Sequence, residues 1–197
     1  IYADDTGKTP TLECIKAAEK VVSETATSGG GYLPMTGLAE YNRDVVALLF
    51  GEESEIPASG RALAAQTPGG TGGLRVAADF IARIKPGARI WMSDPTWANH
   101  NGIFTAAGLE LATYPYYNHE TKALNFDEMV ATLKEVPAGD VVLFHACCHN
   151  PSGMDPNAEQ WNQLADLAAE RGFLPLFDFA YQGFDAGIEE DAFGLRA

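Results

Sequence analysis

Asp178 is the first residue whose type and position suggest chemistry. It lies near the end of the segment FLPLFDFAYQG, between Phe177 and Phe179, where burying an unpaired ionised carboxylate would be costly. No Lys or Arg is its neighbour in the sequence, so it needs a cationic partner from elsewhere. The protonated ring nitrogen of a bound heterocycle would serve, and the carboxylate would keep that ring charged and electron-withdrawing. A distant Arg, or a role in capping a loop, is the alternative.

Three further polar or aromatic side chains follow predicted strands. The indole of Trp97 in SDPTWANH could stack on a planar ring, and the amide of Asn150 in CCHNPSG could donate to a phenolate or carboxylate. Tyr181 comes three residues after Asp178, and its hydroxyl could hydrogen-bond a ligand atom. Taken singly, packing explains Trp97 and Tyr181, and a turn explains an Asn before Pro.

The glycine-rich run at 69–73 follows a predicted strand and opens a predicted helix. Its backbone N–H groups and the positive end of the helix could hold a phosphate. The run is not a P-loop, because no Gly-Lys-Ser/Thr follows, and not the dinucleotide fingerprint, because Arg75 stands where the third glycine would be. A plain tight turn is the alternative.

The segment HACCH at 145–149 raises the question of a zinc site. On a strand, His145, Cys147 and His149 would point to one face and Cys148 to the other. The adjacent cysteines could then not easily converge on one ion. Buried strand residues explain the segment better, so no metal site is expected.

The spacing of apolar residues predicts helices and strands that alternate. Thr9 and Pro10 are interpreted as the N-cap and first turn of a helix over 12–22 that ends near 28–31, and a second helix covers 37–50, followed by a loop at 51–60. Beyond it the pattern predicts strands over 61–67, 88–93, 109–115, 140–148 and 173–179, and helices over 73–84, 99–108, 126–136 and 157–172.

Several of these strands are apolar on both faces, which predicts an α/β fold with a mostly parallel sheet covered by helices. The carboxyl ends of parallel strands share one edge of a sheet. The glycine run, Trp97, Asn150 and Asp178 each follow or end a different predicted strand. We therefore expect one crevice to receive them all.

Composition excludes several classes of protein. Of the 197 residues, 46% are hydrophobic and 20% charged, which is typical of a globular protein with a core. Acidic residues number 27 against 13 basic ones, so neither nucleic acid nor an anionic membrane is an expected partner. No apolar run approaches the roughly 18–20 residues of a membrane-spanning helix.

The three cysteines, Cys14, Cys147 and Cys148, form no spaced framework. An odd count without spacing favours a reducing compartment. We therefore expect a cytoplasmic location. Because the sequence begins at Ile1, an organelle-targeting segment stays open as an alternative.

Four segments together resemble the class I aspartate and aromatic amino acid aminotransferases, which use pyridoxal phosphate. They are TPGGTGGLR (67–75), SDPTWANH (93–100), HACCHNPSG (145–153) and FDFAYQGF (177–184). They occur in the family's order, and the resemblance covers essentially the whole chain, including DDTGKTP (4–10). It implies transfer of an amino group between a 2-oxo acid and an amino acid, either aspartate or glutamate or an aromatic one.

The resemblance also implies where the cofactor is held. The backbone of Gly70 and Thr71 would contact the cofactor phosphate. Trp97 would stack on the pyridine ring and contact substrate, and Asp178 would pair with the pyridinium nitrogen. The fold implied is the large domain of a fold-type I enzyme over 11–197, truncated at both ends, with 1–10 at the edge of the small domain.

Further residues take roles from the same resemblance. Asn150 and Tyr181 would hydrogen-bond the phenolic oxygen of the ring, and Asn150 would also reach the substrate carboxylate. His100 and His145 would lie behind the ring and support Asp178. Tyr32 would reach the phosphate of a neighbouring subunit, so a homodimer is implied.

Some catalytic residues are expected outside this chain. The family's Schiff-base lysine follows the FDFAYQG motif, whereas the last lysine here is Lys134, so that lysine is expected beyond Ala197. Residues 1–197 alone are therefore expected not to transaminate. The alternatives are another pyridoxal phosphate reaction such as β-elimination or decarboxylation, a non-catalytic structural fragment with a degenerate site, and an unrelated nucleotide-binding α/β domain.

Overall fold

The computed structural model describes residues 3–25 and 31–197. The chain divides into two compact units, 1–34 and 35–197. In the first unit, helix α1 spans Glu13–Thr25 and buries none of its residues. The helix predicted over 12–22 is therefore confirmed, but it begins at Glu13, so the interpretation of Thr9 as its N-cap and of Pro10 as part of its first turn is wrong. Its predicted end near 28–31 lies mostly outside the described residues.

The second unit contains the remaining helices and strands. They are α2 (Ala39–Phe50), α3 (Glu55–Ala58), α4 (Gly69–Ile84), β1 (Arg89–Asp94), α5 (Asn99–Ala106), β2 (Glu110–Pro115), β3 (Tyr117–Asn118), β4 (Ala123–Leu124), α6 (Phe126–Leu133), β5 (Val141–His145), α7 (Ala158–Arg171), β6 (Leu174–Asp178) and α8 (Phe193–Arg196). In the part of the chain that the structure describes, no helix combines the length and apolar character needed to cross a bilayer.

Four strands form one sheet in the order β2-β1-β5-β6, and every pairing in it is parallel. Strand β5 is buried along its whole length. Its side chains alternate between two apolar clusters: Val142 and Phe144 pack with residues of α6 and α7, and Val141 and Leu143 pack with residues of α4 and α5. Helices therefore cover both faces, and the predicted α/β fold with a mostly parallel sheet is confirmed.

Four predictions of local structure are wrong, the first being the loop at 51–60, which contains helix α3. The segment 61–67 forms no strand: Leu63 is 95% exposed, and among the described residues the backbone of Gln66 bonds only to Thr36 O, at 2.9 Å. Helix α4 begins at Gly69 and not at 73, so the glycine run forms its first turn. Strand β5 ends at His145 and not at 148, so the alternation assumed for HACCH does not apply to its last four residues.

The residue that ends helix α7 has a backbone conformation that favours glycine. It is capped at its C-terminus by Gly172, which adopts a left-handed conformation with φ +72°. An added Cβ would meet only the Ala138 Cβ at 3.6 Å, so Gly172→Ala is expected to cost about 1–2 kcal/mol through the backbone alone. Gly102→Ala, in α5 with open space around it, should instead stabilise by about 0.5–1 kcal/mol. Urea unfolding of both variants measures the difference, and shifts of the same sign would contradict this account.

Candidate functional site

The carboxyl edge of the sheet brings together residues that are distant in sequence. His145 and Asp178 are paired in register at the last positions of β5 and β6. Trp97 follows β1 and precedes α5, and Asn150 lies in the turn after β5. Parallel strands place all of these residues at one edge, where ligands bind in open α/β sheets.

One cavity of about 150 Å³ lies at this edge. A cavity of roughly this volume can admit a benzene-sized ring. Among the residues predicted to act together, those that line it are Gly70, Trp97, His145, Asn150, Asp178 and Tyr181. Leu74, Cys147 and Ala180 also line it, although no pattern in the sequence had assigned them to the site.

Behind the cavity, two histidines and a threonine connect Asn150 to Asp178. The Asn150 N–H donates to His145 Nδ1 at 3.2 Å. The Thr96 hydroxyl lies 3.1 Å from His145 Nε2 and 2.8 Å from His100 Nδ1. His100 Nε2 lies 2.9 Å from Asp178 Oδ2, and the His100 side chain is fully buried.

The Asn150 N–H determines which group donates and which accepts in each of these hydrogen bonds. Since the backbone N–H of Asn150 points at His145 Nδ1, a neutral His145 must carry its proton on Nε2 and donate it to Thr96. Thr96 has one proton, which is then available for His100 Nδ1. His100 in turn carries its proton on Nε2 and donates it to Asp178. The carboxylate is thereby held as an acceptor at the end of an oriented chain of hydrogen bonds.

Electrostatics support a neutral His145. Burial, and after it the neighbouring His100, lower the pKa of His145 to about 4, against the opposing effect of Asp178. At neutral pH, His145 is therefore uncharged, as the hydrogen bonds require.

Thr96 is a residue that sequence reasoning missed. It lies four positions before His100, a spacing at which side chains meet at the start of a helix, and this was the available signal. Its second partner, His145, is 49 positions away in sequence, and that contact could be found only in the fold.

The chain matches the family "Aminotransferase class I and II" over residues 1–197. It is 54% identical over its whole length to the aspartate aminotransferase of Salmonella typhi and 42% identical to the aromatic-amino-acid aminotransferase of Escherichia coli (strain K12), and covers 50% of each. The chain belongs to the class I and II aminotransferases. It spans about half the length of the curated relatives it matches.

Solved structures of aminotransferases have the same fold. The aromatic amino acid aminotransferase of Burkholderia cenocepacia J2315 superposes with a TM-score of 0.95 at 45% identity, covering 100% of this chain and 49% of that one. The aromatic-amino-acid aminotransferase of Burkholderia pseudomallei, solved covalently bound to pyridoxal phosphate, gives 0.94 at 43% identity, with the same coverage. The predicted resemblance and fold type are therefore confirmed.

Three predicted site residues of this aminotransferase chain, Thr71, Tyr32 and His100, are not among the described residues that line the cavity. Thr71 is exposed in the first turn of α4, next to Gly70, and does not line the cavity. Tyr32 is fully exposed and belongs to the first unit. His100 contacts the cavity only indirectly, through Trp97 and Asp178. Within 3–25 and 31–197, no group of His, Cys, Asp and Glu has the arrangement of a metal site.

The HACCH segment has a different geometry from the one assumed from its sequence. Cys147 is buried and lines the cavity, and burial raises the pKa of its thiol. His149 turns away from the cavity and bonds to Ser93 and Ser152. In this aminotransferase chain, the segment thus divides between the cavity wall and the turn that carries Asn150.

Proposed function

We propose that the protein containing this chain is a pyridoxal phosphate-dependent aminotransferase, and that this chain forms the part of the site that holds the cofactor. It would transfer an amino group between a 2-oxo acid and an amino acid, either a dicarboxylic or an aromatic one. Relatives named for both substrates support this range: the aspartate aminotransferase at 54% identity and the aromatic-amino-acid aminotransferase at 42%.

The proposal rests on the hydrogen bonding of the two Asp178 carboxylate oxygens. Its Oδ2 accepts from His100, while Oδ1 has no hydrogen-bond partner among the described residues, and the residue lines the cavity. No Lys or Arg lines that cavity. A ligand that presents a protonated ring nitrogen would supply the missing donor and positive charge, and the carboxylate would raise the pKa of that nitrogen.

The cofactor phosphate would bind at the start of α4. Gly70 lines the cavity and has open space where a side chain would be. The first turn of this 16-residue helix offers backbone N–H groups and the positive end of its dipole. We propose that Gly70 and Thr71 bind the phosphate through their backbone.

The remaining cavity residues would orient the ring and the substrate. Trp97 would stack on the ring face, its indole held edge-on by His100 with centroids 5.3 Å apart. Asn150 and Tyr181, which line the same cavity, would donate hydrogen bonds to the phenolic oxygen, and Asn150 would also bind the substrate carboxylate. His100 and His145 would fix the orientation of Asp178.

Bound pyridoxal phosphate would act as an electron sink when the substrate loses its α-proton. The described lysines do not line the cavity, so we propose that the lysine that moves this proton comes from outside the chain. We also propose that Tyr32 contacts the cofactor phosphate of a second subunit in a homodimer. A cytoplasmic location fits the cysteine content.

The test uses the full-length protein reconstituted with pyridoxal phosphate. With 2-oxoglutarate as the amino acceptor, it is expected to form glutamate and an equal amount of oxaloacetate from aspartate, or of phenylpyruvate from phenylalanine. The protein freed of cofactor should form neither until pyridoxal phosphate is restored.

Other products would contradict the proposal. Release of ammonia without glutamate would indicate elimination, and release of carbon dioxide from the amino acid would indicate decarboxylation. A protein that neither binds the cofactor nor changes its absorbance would be a non-catalytic relative.

A further inference from the structure

The side-chain amide of Asn150 has no hydrogen-bond partner among the described residues, although it lines the cavity. Its only described polar contact is made by its backbone N–H, to His145. The direction of this amide is therefore set by the backbone of the turn that carries it. Whatever fixes that backbone also fixes where the amide points.

His149 anchors this turn through every polar group it has. Its N–H donates to Asp155 Oδ1 at 2.9 Å, and its carbonyl accepts from Gly153 N at 2.7 Å. Its ring Nδ1 lies 2.7 Å from Ser152 Oγ, and its Nε2 lies 2.8 Å from Ser93 Oγ. Ser93 belongs to β1, so the last bond ties the turn to the sheet.

One direction of hydrogen bonding satisfies both ring nitrogens of His149. Met154 N–H donates to Ser152 Oγ at 3.2 Å, so the single Ser152 proton is available for His149 Nδ1. A neutral His149 then carries its proton on Nε2 and donates it to Ser93. His149 thus acts as a donor toward the strand and an acceptor toward the turn.

Packing prevents the ring from rotating. Tyr116 stacks on it with centroids 3.9 Å apart and an interplanar angle of 14°. The Tyr116 hydroxyl also donates to Met154 O at 2.7 Å. On its other side His145 lies 4.2 Å away between centroids. The side chain is 1% exposed, so water cannot replace a lost bond without disturbing this stack.

We propose that His149 is a positioning residue: its Nε2–H bond to Ser93 ties the 149–152 turn to β1 and thereby aims the Asn150 amide into the cofactor cavity. The inference rests on the proposed function, in which Asn150 binds the cofactor ring. His149 itself touches neither cofactor nor substrate, and acts only through Asn150.

The test titrates the full-length apoprotein with pyridoxal phosphate and records the dissociation constant and the absorbance spectrum. His149→Phe keeps the stack on Tyr116 but loses both ring bonds, and is expected to weaken binding by about tenfold. His149→Gln can donate from its amide to Ser93, and should bind within about threefold of wild type. Ser93→Ala is a smaller change in the side chain, and it should also weaken cofactor binding.

A double-mutant cycle separates positioning from general destabilisation. In an Asn150→Ala background, His149→Phe should have no further effect on the dissociation constant or the spectrum. An equal loss with and without Asn150 would overturn the inference, as would unchanged binding by the Phe and Ser93→Ala variants, or a Gln variant as weak as the Phe variant. No cofactor binding by the wild-type protein would refute the proposed function itself, together with this inference.

Discussion

Asp178→Asn is expected to slow amino transfer by about 10³-fold or more in the full-length protein, because a preorganised charge in a water-poor site is lost. The direction of the hydrogen bonds that run from Asn150 to Asp178 explains how the substitution would act. His100 Nε2–H would take the Asn carbonyl oxygen as its acceptor, at the place of the present 2.9 Å bond to Oδ2. The Asn NH₂ group would then face the cavity as a donor, and only an unprotonated ring nitrogen can accept from it.

The measurement compares steady-state rates and the absorbance of the bound cofactor in the two proteins. Asp166→Asn is the matched control, since it makes the same change on an exposed position of α7 and should leave both readouts unchanged. A rate for Asp178→Asn within tenfold of wild type would mean that the carboxylate does not hold a protonated ring nitrogen.

The sheet and its carboxyl edge could be predicted because apolar strands have a local signature. The run at β5 is buried on both faces, and such a run is what a central parallel strand requires. Once β1, β5 and β6 were in one sheet, the positions just after them had to share an edge. Trp97, Asn150 and Asp178 line one cavity for that reason.

The wrong strand at 61–67 illustrates the limit of local pattern. The segment alternates partly buried and exposed residues, as a strand would, but a strand also needs a neighbour to satisfy its backbone. Here the described neighbour is Thr36, through one bond to Gln66. The alanine-rich segment 61–67 therefore has the periodicity of a β-strand, but no strand pairs with it among the described residues.

The hydrogen-bond chain behind Asp178 could not be predicted for a different reason. His100 and His145 were implied as supports of Asp178, but Thr96 joins them through contacts set by side-chain orientation. The direction of donation depends on one backbone N–H, that of Asn150. Such an orientation exists only when the turn after β5 has its folded geometry.

The loop after Tyr181 is organised by one buried carboxylate, and its loss is expected to have the largest effect on stability. Asp191 is 5% exposed. Its Oδ2 accepts from the backbone of Gly183 at 2.7 Å and Asp185 at 3.2 Å, and its Oδ1 from Ala186 at 2.9 Å and Gly187 at 3.3 Å. Asp191→Asn leaves one oxygen for one pair of donors and turns an NH₂ group toward the other. With roughly 1–3 kcal/mol for each of the two donors left unpaired, we expect a loss of about 2–6 kcal/mol, measured by urea unfolding.

The pH dependence of that loss distinguishes the carboxylate from packing. Burial raises the pKa of Asp191, but the backbone N–H groups outweigh burial and bring the pKa below its usual value. A lowered pKa contributes stability that is present above the unfolded value of about 3.9 and is lost as the pH falls through the folded value. The difference in free energy of unfolding between wild type and Asp191→Asn should therefore narrow below about pH 4.

The control is Asp185→Asn, at an exposed position of the same loop. Its free energy of unfolding should stay within about 0.5 kcal/mol of wild type at every pH. If the Asp191→Asn deficit instead persists unchanged in acid, the carboxylate charge is not what orders the loop.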